Sequence, residues 1–73
     1  MKHDIITKEM KHDIGEALWR ARREKRLKLE TVANAVGCLQ GKIDLLEMGR
    51  IFDYNLLRKL AKYYGKDIKI SFE

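Results

Sequence analysis

Residues 29–50 read LETVANAVGCLQGKIDLLEMGR and contain two short helical patterns separated by a glycine. The apolar residues of the first pattern recur at the i, i+3, i+4 and i+7 spacing of an amphipathic helix, and they are Leu29, Val32, Ala33 and Val36. The second pattern comprises Leu39, Ile43 and Leu46. Gly37 and Gly49 follow the two patterns, as is typical of glycine just beyond a helix end. The stretch therefore predicts two helices joined by a tight turn over residues 37–39.

Similar stripes on both sides of this stretch predict a first and a fourth helix. Asp13 and Glu16 have the spacing of a capping box, so the first helix is predicted to begin after Asp13 and to end near residues 25–26. Its buried stripe is predicted to be Ile14, Ala17, Leu18 and Ala21. Asp53 is the predicted cap of the fourth helix, which ends before Gly65. Its buried face is predicted to be Tyr54, Leu57, Leu60, Ala61 and Tyr64.

The two ends of the chain differ from this helical domain, which we place at residues 13–65. Residues 1–12 are interpreted as a leader segment, because MKHDI occurs at residues 1–5 and again at 10–14, and two copies nine residues apart are too few to stack as a repeat fold. In residues 66–73 the alternating apolar residues predict a β-strand, and they are Ile68, Ile70 and Phe72.

A lone strand leaves its backbone N–H and C=O groups without partners. The leader run 4–7 is one candidate partner for the strand at 66–73. The other, which we favour, is the same segment of a second copy of the chain, related by a two-fold axis. The expected role of residues 66–73 is therefore dimerisation.

Length and composition limit the class of protein. A chain of 73 residues has room for one domain, and we expect an all-α, compact bundle of four to five short helices plus the C-terminal strand. No apolar run approaches the ~20 residues of a membrane span, and the N-terminus lacks the apolar region of a signal peptide. Cys38 is the only cysteine, which fits a reducing, cytoplasmic setting.

The formal charge of +5 is concentrated in residues 14–28, where six bases face two acids. Such a cluster can follow phosphates, or it can be a solvated helix face whose bases suit the C-terminal dipole. The His-Asp pairs at residues 3–4 and 12–13 match no common metal-ligand spacing, so no metal or cofactor is expected. No Ser-His-Asp or Cys-His arrangement is evident, and we do not expect an enzyme.

An ordered set of residues between 14 and 65 gives this region a specific resemblance. The set comprises Ile14-Gly15-Glu16, Leu18, Arg22, residues 27–33, Val36-Gly37, Ile43, Leu46-Glu47, Gly49-Arg50, Leu57, Lys59-Leu60-Ala61 and Gly65. With it, the chain resembles the lambda-repressor-like, Xre/Cro-type DNA-binding domain. The resemblance implies a helix-turn-helix whose third helix enters the major groove of DNA, with its first residues at the base edges.

The resemblance also implies which residues contact DNA. They are Gln40, Gly41, Lys42, Asp44 and Leu45 of the third helix, together with Lys28 and Arg50. The Gln40 amide can bond an adenine edge at two atoms, Lys42 can reach guanine or a phosphate, and Leu45 can contact a thymine methyl. Arg22 and Glu47 match a partly buried ion pair whose role is structural.

The expected function is that of a dimeric, sequence-specific DNA-binding protein acting as a transcriptional repressor. Small proteins of this type with a C-terminal strand resemble the antitoxins of toxin–antitoxin modules, which implies a toxin protein as a further partner. The alternative is a helix-turn-helix repurposed for protein–protein contact, with an apolar surface formed by Leu29, Leu39 and Leu45. The salt dependence of binding to duplex DNA discriminates between the two.

Overall fold

The computed structural model describes residues 7–66, which form four α-helices and, within that range, no β-strand. The helices are α1 (Lys8–Glu24), α2 (Leu29–Val36), α3 (Gln40–Glu47) and α4 (Tyr54–Tyr64). The all-α helical bundle is thereby confirmed. The predicted strand, with Ile68, Ile70 and Phe72, lies outside the described residues, as do residues 1–6 of the predicted leader. Within 7–66, no helix combines the length and apolar character needed to cross a membrane.

The first helix begins earlier than the sequence predicts. Thr7 is its N-cap, and the Thr7 hydroxyl oxygen accepts a hydrogen bond from the Met10 backbone N–H at 3.1 Å. The prediction that Asp13 caps this helix is wrong, because Asp13 lies in the second turn of α1 with its side chain 81% exposed. Residues 8–12, which we assigned to the leader, therefore belong to α1.

The core is built from the apolar faces of all four helices. Its buried members are Ile14, Leu18, Ala21, Val32, Ala33, Ile43, Leu46, Leu56, Leu57, Leu60 and Tyr64. Most of the predicted stripes are confirmed, but Ala17, Leu39 and Tyr54 are exposed rather than buried. Leu39 lies outside the core because it is the N-cap of α3, before the helix turns inward. In α4, Leu56 is buried, although the predicted buried face included Tyr54 instead.

The predicted helix ends are confirmed on the C-terminal side. Gly37 and Gly65 follow α2 and α4 in the left-handed conformation, with φ of 75° and 68°, which glycine adopts at little cost. At the start of α4, Asp53 is the cap, and its Oδ1 accepts a hydrogen bond from the Leu56 N–H at 3.0 Å. The connection between α2 and α3 is therefore limited to residues 37–39.

The backbone of helix α3 lies closest to α1 and α2, and among the described residues no Cα atom of α3 is within 8 Å of one in α4. Its close approach to α1 depends on Gly15, because a Cβ atom there would lie 2.4 Å from the Glu47 carbonyl oxygen and 2.6 Å from that of Leu46. The inward face of α3 is thus fixed tightly, while its outward face is covered by no other described helix.

Candidate nucleic-acid interface

The outward face of α3 is apolar along its centre. Gly41, Leu45 and Met48 recur at i, i+4 and i+7, which places them on one side of the helix, and all three are exposed. Leu45 is 38% exposed and Met48 51%, while Leu39, at the N-cap, is 78% exposed. This face can therefore make close van der Waals contacts but has no charge at its centre.

Polar residues flank this apolar centre. Gln40, the first residue of α3, is exposed, and so are Lys42 and Asp44. All five α3 residues that the resemblance implies as DNA contacts are therefore at the surface of one helix. Of the two remaining residues, Lys28 is exposed at the N-cap of α2 and Arg50 is exposed in the loop after α3.

The charge of Lys42 is compensated within the protein. Its Nζ lies 2.7 Å from Oδ2 of Asp53, whose other oxygen, Oδ1, caps α4. Hydrogen bonding to Asp53 raises the pKa of Lys42, and the same contact, followed by the Leu56 backbone N–H, lowers the pKa of Asp53. The sequence did not reveal this pairing. Because Asp44 is also acidic, α3 offers a phosphate little net attraction.

Arg22 and Glu47 form the ion pair that the resemblance implies. Arg22 donates from Nε to Glu47 Oε2 at 2.8 Å and from Nη2 to Oε1 at 3.0 Å. A third donor, Nη1, bonds the Leu27 carbonyl at 2.9 Å. The Glu47 side chain is only 3% exposed and that of Arg22 15%. The pair therefore joins α1, the turn after it and α3, which fixes the orientation of the candidate interface.

The Tyr64 hydroxyl is buried and has no hydrogen-bond partner among the described residues. Its burial is the main cause that raises the pKa of Tyr64 to about 12, and the negative charge of Glu47 is the second. The phenol is therefore neutral at physiological pH, and its role is to fill the core.

A groove of about 350 Å³ lies between α1 and α3, and its lining combines the exposed acids Glu16 and Asp44 with the Arg22–Glu47 pair. Its walls include Glu16, Trp19, Asp44 and Met48. Trp19 is 42% exposed, and the Arg23 guanidinium carbon lies 4.7 Å from the centre of its ring. The groove is formed by residues of both α1 and α3, so no local sequence pattern could reveal it.

One group of side chains near this groove has the atoms to share a metal ion. The ligand atoms of His12, Asp13 and Glu16 lie within 4.8 Å of one another on the outside of α1. All three residues are exposed. Glu16 is already engaged, because it accepts a hydrogen bond from Arg20 at 2.9 Å. We assign no metal to this group.

The outer face of α4 carries a cluster of bases that the sequence reading did not single out. Arg58, Lys59 and Lys62 are exposed, and α4 contains no acidic residue. Lys66, just beyond the helix, pairs with Glu24 of α1 at 3.0 Å. An available signal was the spacing of the bases at i, i+1 and i+4, at positions that the apolar stripe of α4 does not use.

Comparisons with protein-family models, with curated proteins and with solved structures found no match to this chain. The assignment of a function therefore rests on the residues themselves and on their arrangement.

Proposed function

We propose that this chain is a sequence-specific DNA-binding protein that regulates transcription. In this proposal α2, residues 37–39 and α3 are a helix-turn-helix, and α3 is the helix that enters the major groove. The observation that supports the proposal best is the uncovered outward face of α3, where Gln40, Gly41 and Leu45 are exposed together. An amide and an apolar side chain are the chemistry that reads adenine and a thymine methyl.

Gly41 gives the proposal independent support. A Cβ atom at this position would have no neighbour within 4 Å, so the packing of the protein does not require glycine. Glycine inside a helix is less favourable than alanine by about 0.8–1 kcal/mol. An unneeded glycine on an exposed face is consistent with a backbone that a ligand approaches closely.

The remaining parts of the proposal concern assembly and regulation. The protein is a homodimer, joined through the segment 66–73, and it acts in the cytoplasm as a repressor by occupying its operator. Dimers of this kind present two reading helices to half-sites one helical turn apart, about 34 Å. A more specific form of the proposal makes the chain the antitoxin of a toxin–antitoxin module, with a toxin protein as its partner.

Gln40→Ala is expected to weaken binding to the preferred duplex by about 1–3 kcal/mol and to relax base preference at one position of each half-site. The preferred duplex is found by selection from a random pool with the parent protein. Selection with the variant then shows whether one position has lost its preference. If the parent and the variant enrich the same sequences with the same affinity, Gln40 does not read DNA.

Gly41→Ala is expected to affect stability and binding in opposite directions. The folded protein should gain up to about 1 kcal/mol of stability, because alanine is the better helix residue and the added methyl has space. Binding to the selected duplex should weaken, because the methyl group holds the helix away from the base edges. Urea unfolding and duplex titration measure the two effects, and a variant that binds DNA as well as the parent would contradict the role given to Gly41.

A second candidate function is protein–protein contact through the same face. The observation that favours it is the apolar centre of α3, with Leu39, Leu45 and Met48 exposed and with Lys42 already paired. Under this alternative, selection from a random duplex pool enriches nothing, whereas Leu45→Lys disrupts binding of the protein partner.

A further inference from the structure

DNA binding requires positive charge, and α3 does not supply it. Neutralisation of phosphates by lysine and arginine gives most of the affinity of a DNA-binding protein for any duplex. The only base of α3 is Lys42, and its Nζ lies 2.7 Å from Asp53. Asp44 on the same helix adds an exposed negative charge. If α3 reads bases, residues outside it hold the phosphates; Lys28 and Arg50 are exposed and supply two charges, and a further basic surface would add to them.

The outer face of α4 has the required charge. Arg58, Lys59 and Lys62 have no ion-pair partner among the described residues, and α4 has no acid. An open cleft of about 670 Å³ runs along this face, and the bases share its wall with Tyr54 and Asn55. The Arg58 guanidinium carbon lies 5.9 Å from the centre of the Tyr54 ring, which holds the charged group at the surface.

A second groove is also lined by Lys59 and Lys62. It has a volume of about 370 Å³ and is formed with the last turn of α2, where Ala35 and Val36 line it. No acidic residue is among the described residues that line either cleft. Lys59 and Lys62 therefore form a basic ridge between two non-acidic grooves, whereas the groove between α1 and α3 is lined by Glu16 and Asp44 and by the paired Arg22 and Glu47.

This basic face begins near the reading end of α3. Lys42, in the first turn of α3, pairs with Asp53, the cap of α4, so the start of α4 lies within side-chain reach of the start of α3. From Asp53 the surface continues directly to Tyr54, Asn55 and Arg58 along α4. A duplex that is seated on the N-terminal end of α3 and continues past Asp53 would meet this face.

We propose that the outer face of α4 binds the DNA phosphate backbone beside the bases that α3 reads. The proposal rests on the proposed function, and it divides that function between two helices. Helix α3 supplies sequence preference through uncharged contacts, and α4 adds salt-dependent affinity to that of Lys28 and Arg50. Lys59 and Lys62 are three residues apart, about 4.5 Å along the helix axis, so both can contact the backbone of one strand.

The test compares single-charge variants of the full chain on the duplex selected with the parent and on a mixed-sequence duplex. The variants are Lys59→Gln, Lys62→Gln and the two combined. Lys8→Gln is the matched control, because Lys8 is an exposed base in the first turn of α1 that lines neither cleft. Dissociation constants are measured over a range of salt concentrations, and circular dichroism checks that the helices are retained.

Each α4 substitution is expected to make the slope of log K against log salt shallower by about 0.9, and the combined variant by about 1.8. The affinity for both duplexes should fall by the same factor, because phosphate contacts carry no sequence information. Lys8→Gln should leave the slope and the affinities at the values of the parent.

An unchanged slope in the combined variant would overturn the proposal. The basic face of α4 would then be a candidate binding site for an acidic protein segment. If Gln40→Ala has no effect while the α4 variants weaken binding, the reading role of α3 fails and the phosphate-binding role of α4 stands. If the parent binds neither duplex at low salt, both the proposed function and this inference are overturned.

Discussion

Gly15→Ala is expected to destabilise the protein by about 3 kcal/mol, the upper end of the range for overpacked interiors. The added Cβ would lie 2.4 Å from the Glu47 carbonyl oxygen and 2.6 Å from that of Leu46. Both are backbone atoms in the last turn of α3, so no side-chain rotation can relieve the overlap. Helices α1 and α3 would have to separate, and the core residues between them, Leu18 and Leu46, would lose packing.

The control for this experiment is Gly41→Ala, the same substitution in a helix where the added methyl meets nothing within 4 Å. Alanine is intrinsically the better helix residue, so this control should be more stable than the parent. Urea unfolding followed by helical circular dichroism measures both variants. If Gly15→Ala proved as stable as Gly41→Ala, the close packing of α1 on α3 described above would be incorrect.

Glu47→Ala is the second substitution with a large expected effect. Removing one partner of a fully buried ion pair costs about 3–5 kcal/mol. Because the Arg22 side chain is 15% exposed, we expect a smaller cost of about 2–3 kcal/mol. The variant loses both hydrogen bonds from Arg22 and leaves its guanidinium group beside the core without a carboxylate.

The matched control removes a carboxylate from an exposed pair. Glu16 accepts a hydrogen bond from Arg20 four residues along α1, and their side chains are 45% and 69% exposed. Pairs of this kind contribute about 0.3–0.5 kcal/mol, so Glu16→Ala should be close to the parent in urea unfolding. Equal losses of unfolding free energy in Glu16→Ala and Glu47→Ala would show that the buried pair stabilises the protein no more than the exposed pair does. A double-mutant cycle with Arg22→Ala isolates the coupling.

The central part of the fold follows from local sequence signals. Apolar stripes and the glycines after them are sufficient to predict α2, α3 and α4. Helical periodicity and the end of a helix at a glycine both depend on residues that are neighbours in the sequence. The start of α1 could not be obtained in this way. Thr7 and Asp13 are both good caps, and the tertiary structure favours Thr7. A Cβ atom on Gly49 would lie 3.0 Å from the His12 Cα, so the second turn of α1 packs against the end of α3.

The sequence was sufficient to predict which residues of α3 are exposed at the candidate interface, but not which of its charges are paired. The exposure of Gln40 and Leu45 follows from their positions beside the buried stripe of α3. The pairing of Lys42 with Asp53 joins residues eleven apart, and it depends on a fold that brings the start of α4 within reach of the Lys42 side chain. The sequence could not indicate that α3 lacks free positive charge, nor that the bases of α4 share a face beside it.

The most direct test of DNA binding through α3 is the dissociation constant of the parent for duplex DNA, measured over a range of salt concentrations together with that of Gln40→Ala. We expect log K to fall linearly with log salt, with a slope of about −0.9 for each phosphate neutralised. We also expect Gln40→Ala to lower the affinity for the selected duplex without changing the slope. No binding at low salt, or binding that is insensitive both to salt and to Gln40→Ala, would contradict it.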